Sequence, residues 1–406
     1  MFLKTLLTFW QLNKPLGWSQ LSHQKVRLAV AMTGVAFSSI LIFTQLGLRA
    51  QLFSGITLLP ENLAGDLYLL SAYAPIIDWG SFPRIYLYQA DAVTEVATAS
   101  PLYVGEANWV NPEDLQRADA AAEEDAPQFE FFPNQVKVLA FNPARPVFKL
   151  PEVSQQLERL SVPGSVLFDR LSQDQLGPIP QLLETGTVTT IMDNRTTYVV
   201  GLFSLGSTFF DKGHVIMSDW NYARWQGQEK LEQVTVGVLS LEPEAEITEV
   251  QQRLQAELPD SVKVLTRQEL LTAEQEFRAS FPEGKILNFG AAIGFIVGLV
   301  VVYQVLYMDI NDHLPEYATL KAMGYSDRAL LAVVLQEAVI LGLLGFVPGF
   351  LSSYGVYSLL TRLTKIPLAM RSDVTVQVFV LILAMCILSG AIAMNKLRSA
   401  DPADVF

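Results

Sequence analysis

The sequence predicts an α-helical membrane protein with four transmembrane helices and a large α+β extracytoplasmic domain between the first and second of them. Three observations carry that reading. First, Leu28–Leu48, Ile286–Met308 and Val374–Asn395 are charge-free apolar runs, and Ala329–Thr361 is apolar except for Glu337. Runs of about 18 or more apolar residues are long enough to cross a bilayer as helices. Second, charge is segregated. Residues 50–285 hold 16 Lys and Arg against 33 Asp and Glu, a net of −17, while the remainder holds 12 against 8. Third, short β-branched runs and helical patterns alternate within that acidic block, as in a folded, solvated domain.

The sign of the charge excludes nucleic acid as a partner, because phosphate contacts need a basic surface. Cys386 is the one cysteine and lies in the last span, which excludes an intrachain disulfide or a cysteine-based metal site. His23, His214 and His313 are far apart without ligand spacing. Neither GxxxxGK[ST], GxSxG nor HExxH occurs, so the chain is not read as an enzyme and is assigned no cofactor or metal.

Residues 1–27 carry Lys4, Lys14, Lys25 and Arg27 and no acid, which places this end in the cytoplasm by the positive-inside rule. Within them Leu3, Leu6, Leu7 and Trp10 fall at helical spacing, as in an amphipathic helix on the inner face of the membrane; a disordered leader is the alternative. The first apolar core is too long for a cleaved signal peptide. The order is then span 28–48, periplasmic domain and stalk 49–285, span 286–308, cytoplasmic loop 309–328, span 329–361, short periplasmic loop 362–373, span 374–395 and cytoplasmic tail 396–406. The outer loop's Arg362, Lys365 and Arg371 run against the rule, and the N-terminal signal is given precedence.

Inside the acidic block, Asp193-Asn194 divides an alternating run as a hairpin turn would. Residues 136–141, 234–240 and 262–266 read as strands, with a helix marked by Ile247, Val250, Leu254 and Leu258. Residues 111–130 are acidic and read as an exposed loop, with a carboxylate metal cluster as the sharper alternative. Thr266 and Glu269 form a capping-box pattern. A helix from Arg267 to Met308 would be about 63 Å long, a stalk kinked near Pro282 and Gly284.

Gly290, Gly294 and Gly298 repeat every fourth residue in the second span, and Gly345 and Gly349 repeat the pattern in the third. Such stripes admit a second helix closely, either within one subunit or across a dimer. Glu337 lies about 12 Å into the third span. With the other spans free of ionisable groups, it is read as a structural hydrogen-bonding residue rather than a proton relay.

The loop "NDHLPEYATLKAMGYSDRAL" (Asn311–Leu330) is the unusual stretch. Pro315 suits a first helical turn, and Gly324 suits a left-handed stop. Leu314, Tyr317, Leu320 and Met323 fall on one side, with Glu316 and Lys321 elsewhere, and Ser326 can cap the next span. So short a helix is marginal alone. Its apolar side is expected to dock on a partner; lying on lipid is the alternative.

"GFIVGLVVVYQVLYMDINDHLPEYATLKAMGYSDRALL" resembles the second-span and loop signature of DevC-type permeases of cyanobacterial ABC exporters, within the MacB/FtsX/LolC-type superfamily. "VLFDRLSQDQLGPIP", "VVGLFSLGSTFFDKGHVIMSDWNYAR" and "LRSADPADVF" extend the likeness, while segment 111–130 is longer than the pattern. The resemblance implies that a separate cytoplasmic ABC ATPase binds ATP and takes the Leu314–Gly324 helix as its coupling helix. It also implies a periplasmic membrane-fusion adaptor, a TolC-like outer-membrane duct reached indirectly, and a homodimer in membrane lipid. The spans would then relay ATP-driven motion to the periplasmic domain, which drives export of a lipid or glycolipid-like cargo. An FtsX-like regulator of a periplasmic partner and a lipoprotein-release permease are the alternatives.

Overall fold

The computed structural model describes residues 25–120, 134–208, 210–364 and 368–399. The amphipathic helix expected from Leu3 to Trp10 and the tail 400–406 lie outside the described residues. The chain divides into two compact units. One comprises Met1–Ala50, Pro282–Thr364 and Leu368–Phe406; the other comprises Gln51–Phe281 with residues 365–367.

The first unit holds the apolar helices. Helix α1 (Lys25–Asn62) begins in this unit and is one unbroken helix of 38 residues, longer than the span predicted at 28–48. Three more helices of the described residues are long and apolar enough to cross a membrane, over Pro282–Asp312, Asp327–Leu363 and Ser372–Met394. The two glycine stripes face the same neighbour. A Cβ on Gly290 would meet Gln45 at 2.6 Å, on Gly294 Leu41 at 3.1 Å, and on Gly298 the Ser38 Oγ at 2.5 Å. A Cβ on Gly345 would meet Val35 at 2.5 Å, and on Gly349 Ser39 at 2.5 Å. All five glycines meet α1, and a Cβ on Gly298 would also meet the Met385 sulfur of the last helix. Within the chain the stripes thus pack against α1. Phe43 of α1 packs between Phe346 and Phe350, with ring centroids 6.0 and 5.9 Å away. Its carbonyl accepts a hydrogen bond from the Tyr357 hydroxyl. On the opposite side, Ser389 Oγ donates to the Leu299 carbonyl at 2.8 Å.

In the second unit a nine-stranded sheet runs in the order β11-β1-β10-β3-β4-β8-β5-β7-β6. Its strands are β1 (Leu67–Ser71), β3 (Val96–Asn108), β4 (Gln135–Phe141), β5 (Ser165–Asp169), β6 (Val188–Met192), β7 (Arg195–Phe203), β8 (His214–Ser218), β10 (Val236–Leu241) and β11 (Val262–Thr266). The pairs β4/β8 and β5/β7 are parallel and the rest antiparallel. The run predicted as one strand over 234–240 is divided: β9 (Gln233–Val234) pairs with β2 (Phe82–Pro83) in a separate ribbon. Alternate residues enter two different cores. Leu67, Leu69, Val138, Ala140, Val166, Phe168, Val215 and Met217 lie on one face, and Tyr68, Leu70, Leu139, Phe141, Leu167 and Ile216 on the other. A sheet covered on both faces needs apolar residues at every position, so its central strands lack a polar alternation.

Local signals held where they were strong. The β6–β7 hairpin turns through Asp193 and Asn194 at φ 44° and 63°, the left-handed pair of a type I′ turn. Thr266 and Glu269 complete a reciprocal capping box. The stalk is corrected: the helix Arg267–Ala279 ends and a new one starts at Pro282, so no continuous helix runs from 267 to 308. Pro282 has no N–H to give a carbonyl four residues back, which favours a first-turn position over a helix interior. The acidic loop is corrected in part, because Pro112–Ala120 is helical; its remainder lies outside the described residues.

The glycine seam yields a test. Gly298→Ala should lower thermal stability by about 1–3 kcal/mol through overpacking against Ser38 and Met385. Gly355→Ala, with nothing within 4 Å of the new Cβ, should leave it unchanged or raise it. Thermal unfolding in nanodiscs distinguishes the two; equal effects would show that the seam is loose.

Candidate functional site

Labelling the remaining helices in chain order, α2 is Arg84–Asp91, α3 Pro112–Ala120, α4 Pro151–Ser154, α5 Ile179–Thr185, α6 Asp219–Gln226, α7 Ile247–Glu257 and α8 Arg267–Ala279. In the membrane unit, α9 is Pro282–Asp312, α10 Leu314–Ala322, α11 Asp327–Thr364 and α12 Ser372–Ser399. The short helix expected in the polar loop is α10. Pro315 sits in its first turn, and the Tyr317 N–H donates to the His313 carbonyl at 3.1 Å. At its end, Gly324 N–H donates to Lys321 O at 3.0 Å and Tyr325 N–H to Leu320 O at 3.1 Å. These two bonds form a Schellman stop, with Gly324 at φ +97° where a side chain would be strained. The Ala329 N–H then donates to the Ser326 carbonyl at 2.9 Å and to its Oγ at 3.4 Å at the start of α11, and Lys321 Nζ lies 3.4 Å from Asp327 Oδ1.

The face that α10 presents differs from the sequence reading. Tyr317 and Ala318 are buried, and Leu314 and Leu320 are half-buried against the apolar core of the helical unit. Of the side predicted to dock outward, only Met323 is substantially exposed, at 64%. Leu314, Tyr317 and Leu320 therefore seat the helix on its own bundle. Pro315, Glu316, Thr319 and Met323 form the outward surface, with Tyr325 beside them. Burial of the apolar side on the chain's own core supplies the packing that a nine-residue helix needs.

Beneath this helix lies a group that span-by-span reading missed. Glu337 is fully buried, and Asp309, 3% exposed, lies beside it. His313 Nδ1 is 3.0 Å from the Asp309 carbonyl oxygen and 3.7 Å from its carboxylate. Glu337 is therefore not the lone intramembrane carboxyl, because α9 continues to Asp312 and carries Asp309 inside. A signal existed: Gly294, Gly298, Val302 and Val305 mark the inward stripe of α9, and Asp309 is its next member. The pair connects α9 with α11 at the end where α10 is attached.

The second unit contains its own buried ionic cluster, which no motif announced. Lys137 Nζ, on β4, contacts Asp78 Oδ2 and Asp211 Oδ2, each at 2.9 Å. Burial pulls the ammonium pKa down, but the two carboxylates outweigh it and hold it above the ordinary lysine value. Asp211 is correspondingly lowered, burial being overcome chiefly by Lys137. His214 Nδ1 lies 3.3 Å from Asp169 Oδ2, whose carboxylate also accepts the N–H groups of Leu171, Leu205 and Gly206. Glu274 of α8 accepts the Ile77 N–H at 2.6 Å. Burial raises its pKa to about 7 against that bond, with Asp78 raising it further and Arg278 and Lys137 opposing. Among the described residues no three His, Cys, Asp or Glu side chains are grouped to hold a metal. Thr208 Oγ1 donates to the same Asp211 carboxylate at 3.2 Å, so the described members of the cluster are paired with one another.

Comparison with known proteins gives the helical unit a relation. Residues 288–402 match the family described as FtsX-like permease C-terminal. An uncharacterized ABC transporter permease, YvrN of Bacillus subtilis (strain 168), is 27% identical over 141 residues, covering 35% of this chain and 34% of that protein. The chain thus spans about a third of that relative's length. The crystal structure of the periplasmic region of MacB from Actinobacillus actinomycetemcomitans is similar at 7% identity and TM-score 0.33, over 53% of this chain and 93% of that one. The extracellular domain of the noncanonic ABC-type transporter YknZ from Gram-positive bacteria is similar at 9% identity and TM-score 0.30, over 49% and 99%.

The raised Glu274 fixes the sign of a pH effect. Its carboxyl keeps a proton in the folded chain that the unfolded chain has released between pH 4.5 and about 7, so stability falls as pH rises through that window. Gln at this position retains the acceptor for Ile77. Glu274→Gln should therefore shrink the loss of stability between pH 5 and pH 8, by up to about 3 kcal/mol. Parallel thermal melts at the two pH values check it, and an unchanged pH slope would refute it.

Proposed function

We propose that this chain, whose residues 288–402 match the FtsX-like permease C-terminal family, is the transmembrane permease subunit of a tripartite ABC exporter. Its ATP-hydrolysing subunit is a separate cytoplasmic protein, which binds the ATP and takes α10 as its coupling helix. The observation that carries this reading is the geometry of α10. A short helix is locked to the bundle by Tyr317 and Ala318, stopped by Gly324, and presents Pro315, Glu316, Thr319 and Met323 outward. A rigidly seated helix with one free face can accept a push and pass it to α9 and α11, between which it is connected. A freely hinged loop would dissipate that push.

In this reading the basic N-terminal stretch and the acidic block set the orientation. Both termini lie in the cytoplasm, and the α+β unit lies outside the inner membrane. That unit works with a membrane-fusion adaptor, and through it with an outer-membrane duct. Two copies of the chain form the working permease, of the DevC type. ATP-driven motion reaches the α+β unit, which drives a lipid or glycolipid-like cargo outward. Support for mechanical relay over a substrate channel comes from the spans, whose inward glycines are filled by α1 rather than lining a charged lumen. An accumulation of lipid cargo on deletion would distinguish export from regulation of a periplasmic enzyme, which predicts none.

The outward face of α10 is directly testable. Thr319→Asp with Met323→Asp should abolish co-purification of the ATPase and its stimulation, while leaving the melting temperature of the permease within about 2 °C. An unaltered complex with full stimulation would overturn the docking assignment.

A further inference from the structure

A cavity of about 480 Å³ opens in the second unit between the β5/β7/β6 end of the sheet and α6. Its floor is apolar: Val166, Met192, Met217 and Trp225 line it, and each is at least nine-tenths buried. Its mouth carries two guanidinium groups, Arg195 on β7 and Arg224 on α6. The Arg195 guanidinium donates to the Arg224 carbonyl, and the Arg224 guanidinium lies 5.5 Å from the Trp220 ring centroid. These contacts steady both cations, and neither is ion-paired among the described residues. No carboxylate lines the cavity among the described residues. In a block with 33 acids and 16 bases, a cavity with two arginines and no carboxylate among its described lining residues departs sharply from its surroundings.

The volume falls in the range of small-molecule sites, about 300–1,000 Å³. Planar guanidinium forks recognise carboxylate, sulfonate and phosphate oxygens. The Met and Trp floor suits an alkyl or aryl body, because such side chains adapt to irregular apolar shapes. We propose that this cavity binds a single anionic amphiphile, a molecule with one acidic group on an apolar body, its acid between Arg195 and Arg224 and its body on Met192, Met217 and Trp225. The surrounding negative charge then acts as a selectivity element. It repels anions from the rest of the unit and leaves this mouth as their point of entry. The assignment stands independently of the export reading.

The test uses the full chain in nanodiscs of zwitterionic lipid, with empty nanodiscs subtracted. The probe is 8-anilinonaphthalene-1-sulfonate, and its uncharged counterpart, N-phenyl-1-naphthylamine, shares the same aromatic body. The sulfonate should bind at one saturable site. The double change Arg195→Gln and Arg224→Gln should weaken it at least tenfold while leaving the uncharged probe unaffected. Thr196→Trp, at an exposed strand position on the cavity wall, should block both probes without touching the arginines. Circular dichroism and melting temperature establish that each variant is folded. Unchanged sulfonate binding in the arginine variant would overturn the anionic class. Unchanged binding of both probes in Thr196→Trp would overturn the site, even if the arginine variant failed to fold.

Discussion

The helical unit depends on how closely helix α1 can approach α9 and α11. In hydrocarbon no hydrophobic force draws one helix to another, so association rests on van der Waals contact and a few polar bonds. Glycines at 290, 294 and 298 on α9 and at 345 and 349 on α11 remove the side chains that would hold α1 away. Once α1 is seated, Phe43 fills the space before Phe346 and Phe350, and Tyr357 reaches the Phe43 carbonyl. Helix α12 closes the other side against α9 and α11, where Ser389 bonds across to Leu299. Both seams are occupied by elements of the same chain.

That arrangement also decides the character of α10. A nine-residue helix has too few internal hydrogen bonds to persist by itself. It is stable here because Tyr317 and Ala318 enter the same core that the glycine seams assemble, while Leu320 covers its edge. The price of this anchoring is the apolar side, which is no longer available to any partner. What remains outside is small and mixed, with one proline, one acid, one threonine and one methionine, and it is held rigidly. Below it, Asp309 and Glu337 place two acidic groups side by side at the junction of α9 and α11. Buried polar groups at such a junction have few alternative arrangements, which favours a discrete geometry over a continuous one.

The α+β unit solves a different problem. Its sheet is covered on both faces, so one buried lysine on β4 must be balanced by acids brought from elsewhere in the chain. Asp78 and Asp211 come from 59 and 74 residues away. Glu274 adds a third carboxyl that burial keeps close to neutral pH. Such a network contributes uniqueness more than stability, since a well-packed apolar group would often serve as well in energy.

Periodicity and composition were sufficient for everything local. The four apolar runs, the Asp193-Asn194 turn, the Thr266–Glu269 box, and the proline start and glycine stop of α10 were all legible, because each depends on neighbours within a few residues. The helix ends were less so. Helix α1 continues to Asn62, past the last residue of its apolar run and through Pro60, two residues before its end, because a helix does not stop merely where hydropathy falls. Strands β1, β5 and β8 gave no alternation to read, because both of their faces are covered. Three features required the tertiary structure: which side of α10 is free, what fills the glycine stripes, and which acid accompanies Glu337. A hydrophobic pattern states that one side of a helix is buried; only the position of the neighbouring elements states in what. The sequence by itself therefore determined the spans, the inserted acidic domain and the existence of the short helix. The tertiary structure alone decided which of that helix's surfaces stays exposed, because burial is a property of the assembled neighbours and not of the segment.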